Sequence, residues 1–351
     1  MSEELSGGLA LDAMGGDLGV AESVEGLKLA LTSVPDEKLK DPILVVGRET
    51  ELLPALESVG LKDDPRIRVV HAEDVIGMDE KPMQAIKKKG KSSMLIALNL
   101  VKEGQAKAIL SCGNTGALMG AGTIKIRPLD GVERPALATI IPGKEKFTVL
   151  IDSGANPDPN PIHFVHNAVL GANFAKIVLG VENPRIGLLT IGTEEGKGGE
   201  KIQQAHELLK SVGTAIGYEG LVEGYHLFDG DVEVIVCDGF VGNAVLKSCE
   251  SLFKVISYYL KKELKKSPVR QVGALLAKGA FKGMKDHFNP DEYGSAPFLG
   301  LKAPVLKAHG GSDRYAIAGG IKIALNVIEH DLTAHILEDI TKVNELVAKQ
   351  G

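Results

Sequence analysis

Short apolar runs that read as strands stop five times at polar, glycine-laden clusters, and a helix-like spacing of apolar residues follows each cluster. Leu9-Ala10-Leu11 leads into Asp12-Ala13-Met14-Gly15-Gly16-Asp17, and Ala108-Ile109-Leu110 into Ser111-Cys112-Gly113-Asn114-Thr115-Gly116. Thr148 to Ile151 leads into Asp152-Ser153-Gly154-Ala155-Asn156, and Gly187 to Ile191 into Gly192-Thr193-Glu194-Glu195-Gly196-Lys197-Gly198-Gly199. The fifth is Val234-Ile235-Val236 into Cys237-Asp238-Gly239-Phe240-Val241-Gly242-Asn243. Further strands are predicted over Ile43 to Gly47 and Arg66 to His71, with helices over Ser92 to Glu103 and His163 to Leu179. This alternation predicts an α/β protein with a doubly wound, largely parallel sheet. In a parallel sheet all such turns lie at the carboxyl ends of the strands, so one catalytic edge is expected where several meet.

The rhythm breaks after residue 250. Ser251 to Lys266 reads as helical, Pro268 interrupts, and Val269 to Lys285 resumes with Val272, Leu275, Leu276, Ala280 and Met284 at roughly helical spacing. From Lys254 to Lys285 nine Lys or Arg face the single acid Glu263, so a segment of about +8 sits on a chain whose formal net charge is -6. Residues 251-290 therefore form a basic amphipathic arm, and 1-250 with 291-351 the α/β body. Either the arm packs on the body or a second subunit, or Leu275, Leu276 and Phe281 enter an anionic membrane surface while Lys278 and Lys282 meet its headgroups. Pro157-Asp158-Pro159-Asn160-Pro161 is a stiff connection before a helix near Ile162 and a candidate lobe boundary.

Composition narrows the class. At 351 residues and 44% hydrophobic the chain can bury a large core, and without tryptophan that core must be aliphatic. The acidic start Met1-Ser2-Glu3-Glu4 lacks the basic and apolar regions of a secretion signal, which predicts cytoplasmic residence. Net negative charge argues against nucleic acid as a partner. Cys112, Cys237 and Cys249 show no zinc or redox spacing, and His163 with His166 lacks a third ligand, so no metal is predicted. The cluster Gly192 to Gly198 has three residues between its glycines and no Ser or Thr after Lys197, which disfavours a nucleotide P-loop. No strand leads into a full dinucleotide fingerprint, so no cofactor is expected. Glycine turns still offer backbone N–H groups to anions, phosphate above all.

Six segments then combine: Asp12 to Asp17, Lys91-Ser92-Ser93-Met94, Gly113 to Leu118, Glu133-Arg134-Pro135-Ala136-Leu137, Asp152 to Asn156 and Cys237 to Asn243. In this order, spread between Leu9 and Leu337, they resemble the phosphate acyltransferases of bacterial phospholipid synthesis. The resemblance implies transfer of a long-chain acyl group from acyl carrier protein to inorganic phosphate; the alternatives are acyl-CoA as the donor and a decarboxylating dehydrogenase of similar fold, against which the missing dinucleotide fingerprint argues. The acyl phosphate would go to a membrane glycerol-3-phosphate acyltransferase, and the enzyme would be a homodimer with peripheral membrane association. It also implies an isopropylmalate dehydrogenase-like α/β fold. Leu18-Gly19-Val20 stands where the family usually has His-Ala-Pro, Cys112 where it has Ala, and Ser295 and Phe298 replace a glycine and a leucine.

Largely dianionic phosphate can attack a thioester directly, so the protein must hold it, shield its charge and stabilise the oxyanion. Lys197 with the amides around Gly196, Gly198 and Gly199 is the leading phosphate holder, and Asn243 beside Gly242 the leading oxyanion or phosphate donor. Asn243 could instead cap a helix beginning near Ala244. Gly15, Gly16, Gly113, Gly154, Asn156 and Gly239 complete the candidate binding set; Asn114 and Thr115 either cap a helix or bind phosphate. Asp238 orients a donor or bonds to its own turn, and His309 moves a proton or stabilises its loop. Cys112 reads as a spectator.

Overall fold

The computed structural model describes residues 6–194, 196–288 and 295–349. Met1 to Glu4, Glu195 and Gly294 lie outside the described residues. The strands are β1 (Leu9–Asp12), β2 (Ile43–Gly47), β3 (Ile67–His71), β4 (Ala108–Ser111), β5 (Ala136–Pro142), β6 (Phe147–Ile151), β7 (Ile186–Leu189), β8 (Tyr218–Val222), β9 (Val234–Val236), β10 (Ala296–Leu299) and β11 (Val305–Lys307). The helices are α1 (Gly19–Ser33), α2 (Glu49–Ser58), α3 (Pro82–Lys88), α4 (Ser93–Lys102), α5 (Thr115–Lys125), α6 (Pro161–Phe174) and α7 (Glu200–Ile216). They continue with α8 (His226–Asp229), α9 (Gly239–Leu264), α10 (Pro268–Leu276), α11 (Lys278–His287), α12 (Arg314–Glu329) and α13 (Leu332–Ala348).

All the strands join one mixed sheet in the order β3-β2-β1-β4-β11-β10-β5-β6-β9-β7-β8. Helices cover both faces, which is why the strands read as unbroken apolar runs. Leu9, Leu11, Ile43 and Val45 enter a core roofed by α1, α6, α7, α12 and α13, while Ala10, Leu44, Val46 and Ile109 point to the opposite core under α4 and α5. Beyond α6 the chain continues as a wider helical turn, Ala175–Leu179. Pro161–Leu179 is long and apolar enough to cross a membrane, but most of it is buried in the body, so it reads as a core helix.

The expectation of a single catalytic edge is corrected by strand direction. β1, β2, β3, β4 and β11 are mutually parallel, as are β6, β7, β8 and β9. Between these blocks three antiparallel pairings, β11 with β10, β10 with β5 and β5 with β6, reverse the direction. The turns after β1 and β4 therefore leave the sheet in the sense opposite to those after β6, β7 and β9.

The helix expected from Ser251 begins at Gly239 and runs 26 residues. Val269 to Lys285 is two helices, parted at Ala277. Beyond its first turn α9 buries almost nothing, and α10 has no buried residue. Arg270 folds α10 back onto α9 through Glu263 at 2.7 Å. At the end of α11 His287 Nε2 lies 2.8 Å from the Gly143 carbonyl, which returns the chain to the β5–β6 hairpin.

Candidate active site

Two sets of turns lie along α9. In the first, Asp12, Ser111 and Lys307 occupy one row across the ends of β1, β4 and β11. The Ser111 hydroxyl donates to Asp12 Oδ2 at 2.6 Å, and the Asp17 amide donates to the Gly310 carbonyl at 2.7 Å. Glycine is required where these turns touch. A Cβ on Gly15 would stand 2.6 Å from Asp12 Oδ2 and 2.7 Å from the Gly113 amide; one on Gly113 would meet Met94 at 2.5 Å. Gly16 packs against Cys112 and the Gly310 carbonyl. Burial pushes the Asp12 carboxyl upward against the hydroxyls of Ser111 and Ser93 and the Met14 amide.

The second set nests the β6 turn into the start of α9. Asp152 is fully buried and accepts from the amides of Leu137, Gly154, Ala155 and Asn156 and from the Asn156 side chain, at 2.7 to 3.2 Å. Burial raises its carboxyl, and the amides of Ala155, Gly154 and Leu137 with the Asn156 side chain oppose the rise. The Gly239 amide donates to the Asn156 carbonyl at 2.8 Å, and a Cβ on Gly242 would lie 1.9 Å from the Asp152 carbonyl oxygen. The β6 turn thus seats α9. Asp238, not Asn243, is the cap: its Oδ1 accepts from the Val241 amide at 2.8 Å. Asn243 lies inside the helix, exposed, with its side chain over Gly154, whose φ of 140° suits only glycine.

One stripe of α9 bridges the sets. Asn243, Lys247, Glu250 and Lys254 recur at helical spacing on one face. Asn243 overhangs the β6 turn, and Lys247 reaches electrostatically to both Lys307 and His309, with Glu250 and Lys254 also acting on His309. Lys247 pairs with Glu250 at 2.9 Å. Beside the stripe a shallow groove of about 480 Å³ runs from Lys247 and Ser248 to Leu252 and Val255.

The remaining candidates divide. Lys197 is exposed, its side chain lies across Gly192, and Gly196 and Gly198 hold φ of 87° and 84° in its turn. Gly199 caps α7 without a side chain, so among the described residues no side chain bonds to that helix's first amides as a cap. A cavity of about 250 Å³ separates the start of α7, at Lys201 and Ile202, from the start of α9, at Asp238 and Phe240. The side-chain amides of Asn114 and Asn156 are already used: Asn114 caps α5 and donates to the Met78 carbonyl at 2.8 Å, and Asn156 donates to the Pro135 carbonyl at 2.8 Å. Thr115 is exposed at the first residue of α5. His309 Nδ1 accepts from the Gly311 amide at 3.1 Å, and burial with Lys247 and Lys307 nearby lowers its pKa. Burial pushes the Cys112 thiol up to about 12, which removes it as a nucleophile at neutral pH. The three cysteines are free thiols. His163 serves the start of α6, Nδ1 accepting from the Asn160 amide at 3.1 Å, with Glu133 2.8 Å from Nε2.

Sequence reasoning missed Lys307. It is 7% exposed at the end of β11, and its ammonium donates to the neighbouring Ala308 carbonyl. Burial brings its pKa down to about 8. The signal was present as a lysine closing an apolar run just before His309-Gly310-Gly311, a sixth turn of the same kind as the other five.

A profile of the fatty acid synthesis protein family matches residues 8–335. The chain is 43% identical over 332 residues to a phosphate acyltransferase of Caldanaerobacter subterraneus subsp. tengcongensis, covering 95% of this chain and 97% of that one. It is 40% identical over 348 residues to a phosphate acyltransferase of Syntrophotalea carbinolica, with 98% of each covered. Among solved structures, a phosphotransacetylase from Streptococcus pyogenes superposes with a TM-score of 0.60 at 16% identity, over 93% of this chain and 94% of that one. A branched-chain phosphotransacylase from Enterococcus faecalis gives 0.56, also at 16% identity, over 92% and 99%. At that identity the two structures speak for the fold alone.

Proposed function

The chain belongs to the phosphate acyltransferase family and is an acyltransferase of fatty acid and phospholipid synthesis; from that premise we propose that it moves a long-chain acyl group from acyl carrier protein to inorganic phosphate. A phosphate oxygen attacks the thioester carbonyl, the C–O bond forms, and the C–S bond breaks. Hydrogen phosphate supplies the proton that the departing thiolate takes up, so acyl phosphate and a free thiol are the products. No covalent enzyme intermediate is needed, in keeping with the inert Cys112 thiol.

The observation that carries the reading is the α9 stripe, which sets Asn243 and Lys247 between two glycine-walled turn systems. Asn243 supplies a neutral donor to the tetrahedral oxyanion, and Lys197 with the amides around Gly198 and Gly199 supplies charge and N–H groups to phosphate. The acidic carrier protein suits the basic segment from Lys254 onward. The product then passes to a membrane glycerol-3-phosphate acyltransferase. Exposed Leu252, Val255, Ile256 and Tyr259 on α9 support a homodimer through these helices, and exposed Leu275 and Leu276 support peripheral contact of a cytoplasmic enzyme with an anionic bilayer.

The test is purified protein with acyl carrier protein thioester and labelled phosphate, scored as a hydroxylamine-reactive mixed anhydride. Product that resists hydroxylamine would defeat the assignment. Parallel assays with acyl-CoA decide between the two donors.

A further inference from the structure

We propose that Lys307 is a cation that receives a phosphate group at the turns that follow β1, β4 and β11, a role that rests on the acyltransfer reading above and is separate from that of Lys197. A buried ammonium is costly unless paired, and among the described residues Lys307 makes no ion pair; its one bond goes to the adjacent Ala308 carbonyl. Asp12 shares its row but is turned to the hydroxyls of Ser111 and Ser93 and the Met14 amide. Its neighbours are of both signs: Lys247 disfavours the Lys307 charge while Asp17 favours it, and Lys247, Lys307 and Lys254 outnumber Glu250 in acting on the His309 ring. A lysine serving structure alone resembles Lys107 or Lys91, exposed and closed onto a carboxylate at 2.7 to 2.8 Å. Lys307 is instead buried, where Gly15, Gly16, Gly113 and Gly310 let backbone approach where a Cβ would collide or crowd. An incoming anion would complete its coordination and restore the full charge.

The phosphate group is either inorganic phosphate or the phosphate on the donor's prosthetic arm, and the experiment separates them. Full-length wild type, Lys307→Met and Lys307→Arg are titrated with phosphate and with acyl carrier protein thioester, and line broadening of inorganic phosphate by ³¹P NMR reads binding without turnover. Lys307→Met is expected to weaken phosphate binding roughly ten- to hundredfold, the worth of one charge-assisted hydrogen bond. Its melting temperature should hold or rise, since a buried charge is gone. Lys307→Arg should recover part of the loss. A rise in phosphate KM assigns the site to inorganic phosphate, and a rise in donor KM assigns it to the prosthetic arm. Unchanged KM values with unchanged phosphate broadening, or a less stable Lys307→Met, would overturn the proposal. If wild type forms no acyl phosphate, the acyltransfer reading fails alone, because the NMR titration still judges the anion site.

Discussion

Gly242→Ala sets two effects of opposite sign against each other. Within a helix alanine is favoured over glycine by about 1 kcal/mol, so propensity alone predicts stabilisation. The added Cβ, however, would lie 1.9 Å from the Asp152 carbonyl oxygen and 2.8 Å from Cys237 Sγ. Contact distance requires the first gap to open by more than ~1 Å, and the obstacle is backbone that no rotamer change can clear. Overpacking of this kind costs about 1–3 kcal/mol and occasionally more, and an immovable backbone obstacle belongs at the upper end, so the clash should win by up to about 2 kcal/mol. Asn243 is the next residue, and a displacement of about 1 Å at a reacting group costs on the order of a hundredfold in rate. Urea denaturation should therefore show a lower midpoint, and acyl phosphate formation a far lower kcat. Gly273→Ala in α10 is the matched control: nothing lies within 4 Å of its added Cβ. It should gain about 0.5–1 kcal/mol with soluble turnover intact. A Gly242→Ala enzyme as stable and as fast as wild type would refute the seating of α9 on the β6 turn.

Three further outcomes are expected. Lys197→Ala should lose on the order of 10² to 10³ in turnover at unchanged melting temperature, because its side chain is exposed; Asn243→Ala should lower kcat more than it changes donor KM, with less than about 0.5 kcal/mol of stability change since Asp238 is the cap. Lys307 ties stability to pH: between its folded value of about 8 and its ordinary 10.5 the unfolded chain retains a proton that the folded chain has released. Without phosphate, wild type should gain up to about 3 kcal/mol on Lys307→Met across that window as pH rises, and a flat difference by calorimetry would contradict the buried ammonium. Polar replacement of Leu275, Leu276 and Phe281 should weaken sedimentation with anionic vesicles while soluble acyltransfer persists, and loss of the dimer instead would assign these residues to subunit packing.

Most of the sheet was legible where apolar residues cluster tightly. β1, β2, β4, β6, β7 and β9 carry unbroken runs because both their faces are buried, and their glycine turns stood out against them. Pairing direction was not legible, since Ala136–Pro142 and Ala296–Leu299 look alike whether they run with or against their neighbours. That is why the two turn systems were expected on one edge. The start of α9 was misplaced for a related reason: Asp238 and Asn243 are both good caps, and only the close packing of Gly239 and Gly242 beneath the β6 turn shows the helix already under way. Lys307 was passed over because a lysine at a strand end ordinarily reaches water, and its burial is created by turns distant in the chain.

The strand order also dictates when the protein can exist. β10 and β11, at residues 296–307, fill the middle of the sheet between β4 and β5, which are made long before them. A nascent chain emerging from the ribosome therefore carries two incomplete half-sheets, each ending in an unpaired inner edge, until residues 296–307 arrive. The row that includes Asp12 waits for Lys307, so segments almost 300 residues apart must meet before that row is complete. A stop codon anywhere before β10 would yield neither a smaller enzyme nor a separable half, but a molecule with its keystone missing.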